Sequence, residues 1–415
     1  MTNVRPFRGL RPRKNLAAKL ASLPYDVIDT QGAREKAEGN PYSFFHVTKP
    51  EIDLHDSVDP YAPQVYEKGR ENFRKFISER ILVQDSKPCY YIYRQIWGDH
   101  SQTGLVACAS VDEYLHGQIK KHEHTRPDKV ADRLRLMTTL EAQTGPIFLT
   151  FRDKPELLTL LEQGTSGEPT YDFVADYGVR HIFYVIDEDA QISRIQANFA
   201  KLDNLYIADG HHRAEGAAQT CLKLRQDNPH YTGDEEFNFF LSVIFPASHM
   251  LILPYNRVVK DLNQHRVAEL LVEIGKKFTV EKISGDLNGP QHPKEFGMYL
   301  DGSWYLLQIK PEWVPSHDAV KSLDVALLQE HVLDPLLGIA DPRTDKRISF
   351  VGGIKGNEEL VQLVKSGQYA IAFSLYPTLI DQVIRVADAG GVMPPKSTWF
   401  EPKLLSGLVT HLLHD

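Results

Sequence analysis

The pattern of apolar and polar positions predicts a chain in which short strands alternate with helices. Mainly apolar runs are typical of buried strands, and they occur at 147–151, 205–208, 238–245 and 250–259. Apolar positions recur at helical spacing in 61–80, 188–200 and 261–277. This alternation predicts an α/β or α+β fold.

Local signals add three further elements. Residues 89–97 and 103–111 flank a short polar turn and predict a hairpin. Pro127, with Asp128 in an acidic first turn, predicts the start of a helix. Residues 40–47 are expected to leave a turn and enter a strand.

One stretch joins a strand to a helix with unusual chemistry. Residues 205–208 are apolar, Asp209-Gly210 breaks the run, and 214–225 has a helix-forming composition. The turn therefore brings Asp209, His211, His212 and Arg213 to a helix N-terminus. Free N–H groups and the positive end of the helix dipole lie there.

These residue types suit an anionic ligand. Gly210 lets the backbone approach a ligand closely, and Arg213 offers a planar fork that matches phosphate. A nucleotide phosphate is the simplest such ligand. The alternative is that Asp209 only caps the helix and that the histidines are solvated.

A second loop carries an acidic residue between histidines. Glu123 lies between His122 and His124, after Lys121 and before the helix predicted to begin at Pro127. Neighbouring charges tune the pKa of such a carboxylate, so the loop suits acid–base chemistry. The alternative is a solvated, charged loop.

The last candidate segment is residues 393–403. Pro394 and Pro395 restrict its backbone, as a binding loop requires. Lys396 is expected to meet phosphate as a point charge; the same segment also holds Ser397, Thr398 and Lys403. The alternative is a loop that packs its aromatic residues into the core.

Composition excludes several classes of protein. The 415 residues are 42% hydrophobic and 25% charged, and the net charge is −8. This balance is that of a globular protein and argues against a mainly nucleic-acid-binding role. Three widely spaced cysteines suggest no disulfide framework. Without a secretory or bilayer-spanning apolar run, we expect a cytoplasmic protein. The oligomeric state is not predicted.

The motifs together resemble a known family. The Asp-Gly-His-x-Arg pattern at 209–213 is similar to the phosphate-binding turn of the ParB/sulfiredoxin superfamily, which includes free-serine kinases. Combined with residues 24–28, 40–47, 122–125 and 393–403, it resembles a prokaryotic family of unknown function labelled ParB/SpoOJ-like. The resemblance implies a ParB/sulfiredoxin-like, nucleotide-binding core within 1–245. A C-terminal α/β part, 246–415, would contribute a loop to the cleft.

The leading hypothesis is a small-molecule kinase that uses ATP or ADP with Mg²⁺. Catalytic roles fall to Glu123, Asp209 and His211, with Asp209 also holding Mg²⁺. The nucleotide contacts are expected from Gly210, His211, His212, Arg213 and Lys396. Glu123 as catalytic base, and free serine as acceptor, are implied by the resemblance to free-serine kinases.

Two other functions stay open. One is a ParB-like nucleotide-binding regulator of DNA or of a protein partner, against which the acidic net charge counts. The other is a metal hydrolase with Glu123 as base and histidine ligands from two segments, namely His122, His124, His211 and His212.

If residues 24–47 fold over the Asp209 turn, Asp26 or His46 lines the pocket.

Overall fold

The computed structural model describes residues 2–414, with only the backbone at Tyr177. The strands are β1 (Val4–Arg5), β2 (Leu10–Pro12), β3 (Leu82–Gln84), β4 (Tyr90–Trp97), β5 (His100–Ser110), β6 (Ile119–Lys120), β7 (Ala142–Gln143), β8 (Ile147–Phe151), β9 (Tyr171–Val174), β10 (Arg180–Ile186), β11 (Leu205–Asp209), β12 (Phe239–Pro246), β13 (Leu251–Leu253), β14 (Tyr255–Val259), β15 (Phe278–Ile283), β16 (Glu295–Leu300), β17 (Ser303–Ile309), β18 (Ile348–Gly352), β19 (Ile371–Leu375), β20 (Trp399–Glu401) and β21 (His411–Leu412).

The α-helices alternate with these strands, so the predicted mixed α/β class is confirmed. They are α1 (Ala17–Leu20), α2 (Thr30–Ala37), α3 (Phe45–Thr48), α4 (Pro63–Ser78), α5 (Val111–Leu115), α6 (Pro127–Leu140), α7 (Pro155–Gln163), α8 (Asp189–Phe199), α9 (His211–Asp227), α10 (Val267–Lys277), α11 (Asp324–Leu328), α12 (Gly356–Lys365) and α13 (Ile380–Asp388). None of the helices in residues 2–414 combines the length and apolar character that a bilayer span requires.

The chain forms two compact units. The first comprises Met1–Met250 and Pro402–Asp415, and the second comprises Leu251–Glu401. The C-terminal segment therefore belongs to the first unit, where β21 pairs with β7. The division into 1–245 and 246–415 stays a prediction.

A mixed sheet organises the first unit, in the order β6-β11-β8-β12-β5-β4-β10-β9, with β1 paired to β5. The β6–β11 and β8–β12 pairs are parallel, and the other pairs are antiparallel. Every residue of β8 and β12 is buried, as expected for central strands covered on both faces.

Helix α9 contributes small residues to the core beside this sheet. Ala214, Ala217, Ala218 and Cys221 join the same buried cluster as residues of β8 and β11. On α9, Gly216 allows close packing of α6, because a Cβ there would lie 3.0 Å from the Cβ of Arg133. The N-terminus of α9 is thus held firmly between the sheet and α6.

The second unit has its own sheet, in the order β15-β17-β16-β19-β14-β18. All of its strand pairs are antiparallel. A separate pair, β13 with β20, is also antiparallel. Helix α11 continues into a π-helical turn, Gln329–Leu333.

Most predicted elements in the first unit are confirmed, but the strand expected within 40–47 is wrong. The predicted hairpin is β4–β5, and α6 begins at Pro127 as expected. Residues 45–48 instead form α3, with Phe44, Phe45 and Val47 all buried. A strand turns alternate side chains to opposite faces, whereas a helical turn buries all three together.

Candidate functional site

The site is built around the turn between β11 and α9. The strand ends at Asp209, Gly210 has φ +88°, and α9 begins at His211. Only glycine adopts that conformation without strain. A Cβ at Gly210 would also lie 3.0 Å from the Arg213 guanidinium. The predicted strand, turn and helix are therefore present, with both histidines and Arg213 in the first helical turn.

Parallel pairing of β6 with β11 brings the second predicted loop to this turn. Ile119 lies opposite Leu205, and Lys120 lies opposite Tyr206. Parallel strands end at the same sheet edge, so residues 121–126 follow β6 beside the start of α9. The backbone N–H of Arg126 donates to Nε2 of His212 at 3.0 Å. His212 thus ties the two segments together through one of its ring nitrogens.

Three predicted residues form a cluster at this edge. The rings of His122 and His211 meet edge to face, with centroids 4.6 Å apart and planes at 88°. Nδ1 of His211 lies 3.5 Å from Oε2 of Glu123. Both imidazoles are buried, while 48% of the Glu123 side chain is exposed. Glu123 and His211, far apart in sequence, therefore share one site.

The buried imidazoles have unsatisfied nitrogens. Neither ring nitrogen of His122 has a hydrogen bond, and neither does Nε2 of His211. The carbonyl of Ile207 favours the charged form of His122 but does not reach hydrogen-bond geometry. Burial lowers the pKa of His122 to about 4 and the pKa of His211 well below its usual value. Both rings are therefore neutral at pH 7.

Two cations converge on the carboxylate of Asp209. Nη2 of Arg213 lies 3.6 Å from Oδ2, and Nζ of Lys403 lies 3.7 Å from the same oxygen. Burial disfavours the charged carboxylate, but Lys403 and Arg213 hold the pKa of Asp209 well below its usual range. Asp209 is thus ionised and partly exposed at the sheet edge.

The Arg213 guanidinium is buried and oriented. Only 4% of the residue is exposed, and Nη1 donates to the carbonyl of Pro146. Nε is buried without an acceptor, which is costly for a charged donor. Arg213 also borders a cavity of about 20 Å³ together with Tyr25 and Arg133, large enough for about one water molecule.

The sequence analysis named Lys403 but assigned it no role at the Asp209 turn. On β4, Gln95 donates from Nε2 to the carbonyl of Lys403 at 2.9 Å, and the Tyr93 hydroxyl accepts from the N–H of Leu405 at 3.5 Å. These bonds anchor the segment that carries Lys403 to the central sheet. The 393–403 motif contains both Lys396 and Lys403, but nothing in the local sequence indicates which of the two lies near Asp209.

Lys396, the lysine predicted to bind phosphate, lies in the second unit. Its φ is +57°, and its carbonyl accepts a hydrogen bond from Nη2 of Arg257 at 3.0 Å. Its Nζ lies 5.5 Å from the centroid of the Tyr255 ring. Its role at the Asp209 turn stays a prediction.

Other candidates from the sequence have different settings. His46 bonds to Asp53 at 2.7 Å and to the carbonyl of Asn40 at 3.1 Å. The Asp53 hydrogen bond raises the pKa of His46, so this histidine belongs to a local ion pair. Burial lowers the pKa of His212, and the negative charge of Asp26 opposes this effect. His124 is exposed.

The chain belongs to the family described as "Protein of unknown function (DUF1015)", whose match spans residues 4–326. No protein with a curated description matches it.

Solved structures give weak likenesses. A free serine kinase in complex with AMP is 14% identical over 73% of this chain and 92% of its own, with a TM-score of 0.35. A conserved hypothetical protein from Pyrococcus furiosus is 14% identical over 73% and 95%, with a TM-score of 0.33. SbnI with a C-terminal truncation, from Staphylococcus aureus, is 11% identical over 72% and 85%, with a TM-score of 0.36.

Proposed function

We propose that this protein binds a nucleotide at the Asp209–Arg213 turn and transfers a phosphoryl group to a small-molecule hydroxyl. One observation carries the proposal: a glycine-hinged helix start at which Arg213 and Lys403 both approach Asp209. Two cations around one carboxylate leave an excess positive charge at a helix N-terminus. That combination suits phosphate groups.

Phosphate binding falls to the first turn of α9. The N–H groups of a first helical turn have no partners within the helix, so they are free to donate to phosphate oxygens. Arg213 adds a buried guanidinium that is already oriented by Pro146, so little ordering entropy is lost on binding. Lys403 adds a second positive charge, held by its backbone bond to Gln95.

Mg²⁺ has a suitable ligand in Asp209. Phosphoryl transfer generally requires a divalent ion to neutralise charge on the phosphates, and Mg²⁺ prefers hard oxygen ligands. The carboxylate is ionised and partly exposed, so it fits this role. Arg213 and Lys403, which already lie beside Asp209, would lie near the same phosphates.

The acceptor hydroxyl would be oriented by Glu123. Its half-exposed carboxylate lies beside the buried, neutral His211, so it can accept a proton from a bound hydroxyl. Free serine is the acceptor we propose, following the motif resemblance to free-serine kinases. A ParB/sulfiredoxin-like identity of the core is part of the same proposal.

Calorimetric titration with ATP, ADP and AMP, with and without Mg²⁺, tests nucleotide binding. We expect micromolar binding that is lost in Arg213→Ala. Arg225→Ala is the matched control, because Arg225 lies on the same helix but pairs with Asp112. Binding should survive in that control. If none of the nucleotides binds to the wild type, the proposal is wrong.

The acceptor is tested separately by incubating the protein with labelled ATP or ADP and single amino acids. Transfer of label to serine, lost in Glu123→Gln while nucleotide binding persists, is the expected result. Transfer that is unchanged in Glu123→Gln would remove Glu123 from the reaction.

A further inference from the structure

We propose that His122, Glu123 and His211 form a binding site for a divalent first-row transition-metal ion. This site is separate from the Mg²⁺ position proposed at Asp209. It goes beyond phosphoryl transfer, because it needs neither the nucleotide nor Arg213 and Lys403, although Glu123 and His211 belong to both proposals.

Distances within the cluster fit coordination better than hydrogen bonding. The 3.5 Å between Nδ1 of His211 and Oε2 of Glu123 exceeds the usual N–H···O range of about 2.7–3.2 Å. For metal–ligand bonds of about 2.1 Å, two donors of a tetrahedral site lie about 3.4 Å apart. The three residues offer one ligand atom each, all within 4.8 Å of one another. Bringing ligand atoms 4.8 Å apart to about 3.4 Å requires a shift of about 1.4 Å.

Unsatisfied nitrogens provide an independent argument. Buried polar groups nearly always have a hydrogen-bond partner, and those without one need a physical explanation. Here His122 has two such nitrogens and the adjacent His211 has one, and the two rings are in contact. A cation held by Nδ1 of His211, the nitrogen that lies near Glu123, would satisfy one of the two nitrogens of His122. Buried ring nitrogens without a hydrogen-bond partner otherwise cost free energy that no interaction offsets.

The ligand set selects the class of metal. Two imidazoles and one carboxylate suit Zn²⁺, Co²⁺, Mn²⁺ or Fe²⁺, whereas Mg²⁺ and Ca²⁺ prefer oxygen ligands alone. Three protein ligands leave a coordination position open, which is typical of a catalytic site. Nearly half of the Glu123 side chain is exposed, so solvent reaches this side of the cluster.

This ligand set differs from the four-histidine set suggested by the sequence. His212 already accepts the N–H of Arg126 on Nε2, and His124 is exposed. Neither belongs to the group of residues whose ligand atoms converge. Glu123 is a ligand here, so metal binding and its proposed role as base for the acceptor hydroxyl exclude each other.

The test is metal binding by full-length protein that has been stripped with a chelator. Co²⁺ is titrated without nucleotide, and the stoichiometry and the d–d absorption bands of the bound ion are recorded. We expect one Co²⁺ per chain, displaced by Zn²⁺ and not by Mg²⁺. Removing an outer-shell partner typically weakens metal affinity about 10- to 100-fold, so losing a ligand in His122→Ala or Glu123→Gln should weaken it by at least about 100-fold.

Two controls keep the outcome decisive. His124→Ala should bind Co²⁺ like the wild type, because its ring lies outside the cluster. Glu123→Gln changes a half-exposed side chain and should therefore fold. It tests the metal site even if His122→Ala, at a buried position, does not fold. The proposal is overturned if the wild type binds no Co²⁺, or if Glu123→Gln binds it unchanged. Arg213→Ala should keep the metal, which distinguishes failure of this site from failure of the nucleotide site.

Discussion

Replacing Gly210 by alanine tests the role assigned to the turn. The residue has φ +88°, and an added Cβ would lie 3.0 Å from Cζ and Nε of Arg213. The guanidinium must move, and with it the hydrogen bond to Pro146 and the ion pair with Asp209. The substitution therefore changes backbone strain and the position of the proposed phosphate-binding cation together.

A second glycine separates these two effects. Gly39 also has a positive φ, +69°, but a Cβ there would meet nothing within 4 Å. A left-handed conformation costs an alanine roughly 1–2 kcal/mol, so Gly39→Ala should lose about that much unfolding free energy. Gly210→Ala should lose roughly 1.5–3 kcal/mol more, the usual contribution of a hydrogen bond to a charged group.

The assays are urea denaturation and calorimetric nucleotide titration on both variants. If Arg213 contributes roughly 1.5–3 kcal/mol to phosphate binding, Gly210→Ala should weaken nucleotide affinity about 10- to 100-fold. Gly39→Ala should leave affinity unchanged. Equal affinities for Gly210→Ala and the wild type would refute the placement of phosphate beside Arg213.

Three further predictions follow from other parts of the first unit. Lys403→Met should weaken nucleotide binding and raise the pKa of Asp209, measured by titration calorimetry and by NMR; an unchanged carboxylate pKa would contradict the pairing. Burial lowers the pKa of His181 to about 3. Between pH 6.5 and pH 3 the unfolded state therefore binds more protons at this residue than the folded state does. The free energy of unfolding falls as the pH is lowered through this range, by at most about 1.4 kcal/mol per pH unit for this group. In His181→Asn, the free energy of unfolding measured with urea should depend less on pH than in the wild type. Parallel curves for the two proteins would contradict the lowered pKa of His181. Phe240→Ala, at a fully buried position of β12, should cost about 3–5 kcal/mol of unfolding free energy, and a loss below 1 kcal/mol would show that the core collapses around the gap.

The sequence alone was sufficient for the local architecture of the site. The apolar run at 205–208, the Asp209-Gly210 break and the helix formers after it predicted β11, the turn and α9. The hairpin and the start of α6 at Pro127 were also readable. Each depends on conformational preferences of neighbouring residues, which the sequence states directly. The exception, α3, is short enough for packing to override those preferences.

Tertiary structure decided which residues meet. The parallel pairing of β6 with β11 brings Glu123 to His211, and hydrogen bonds from β4 bring Lys403 to Asp209. Folding also brings the rings of His122 and His211 into contact, whereas Nε2 of His212 accepts the backbone N–H of Arg126. Such contacts depend on strand order and on bonds between segments far apart along the chain. Local patterns of polarity do not encode that order, so only the folded chain reveals it.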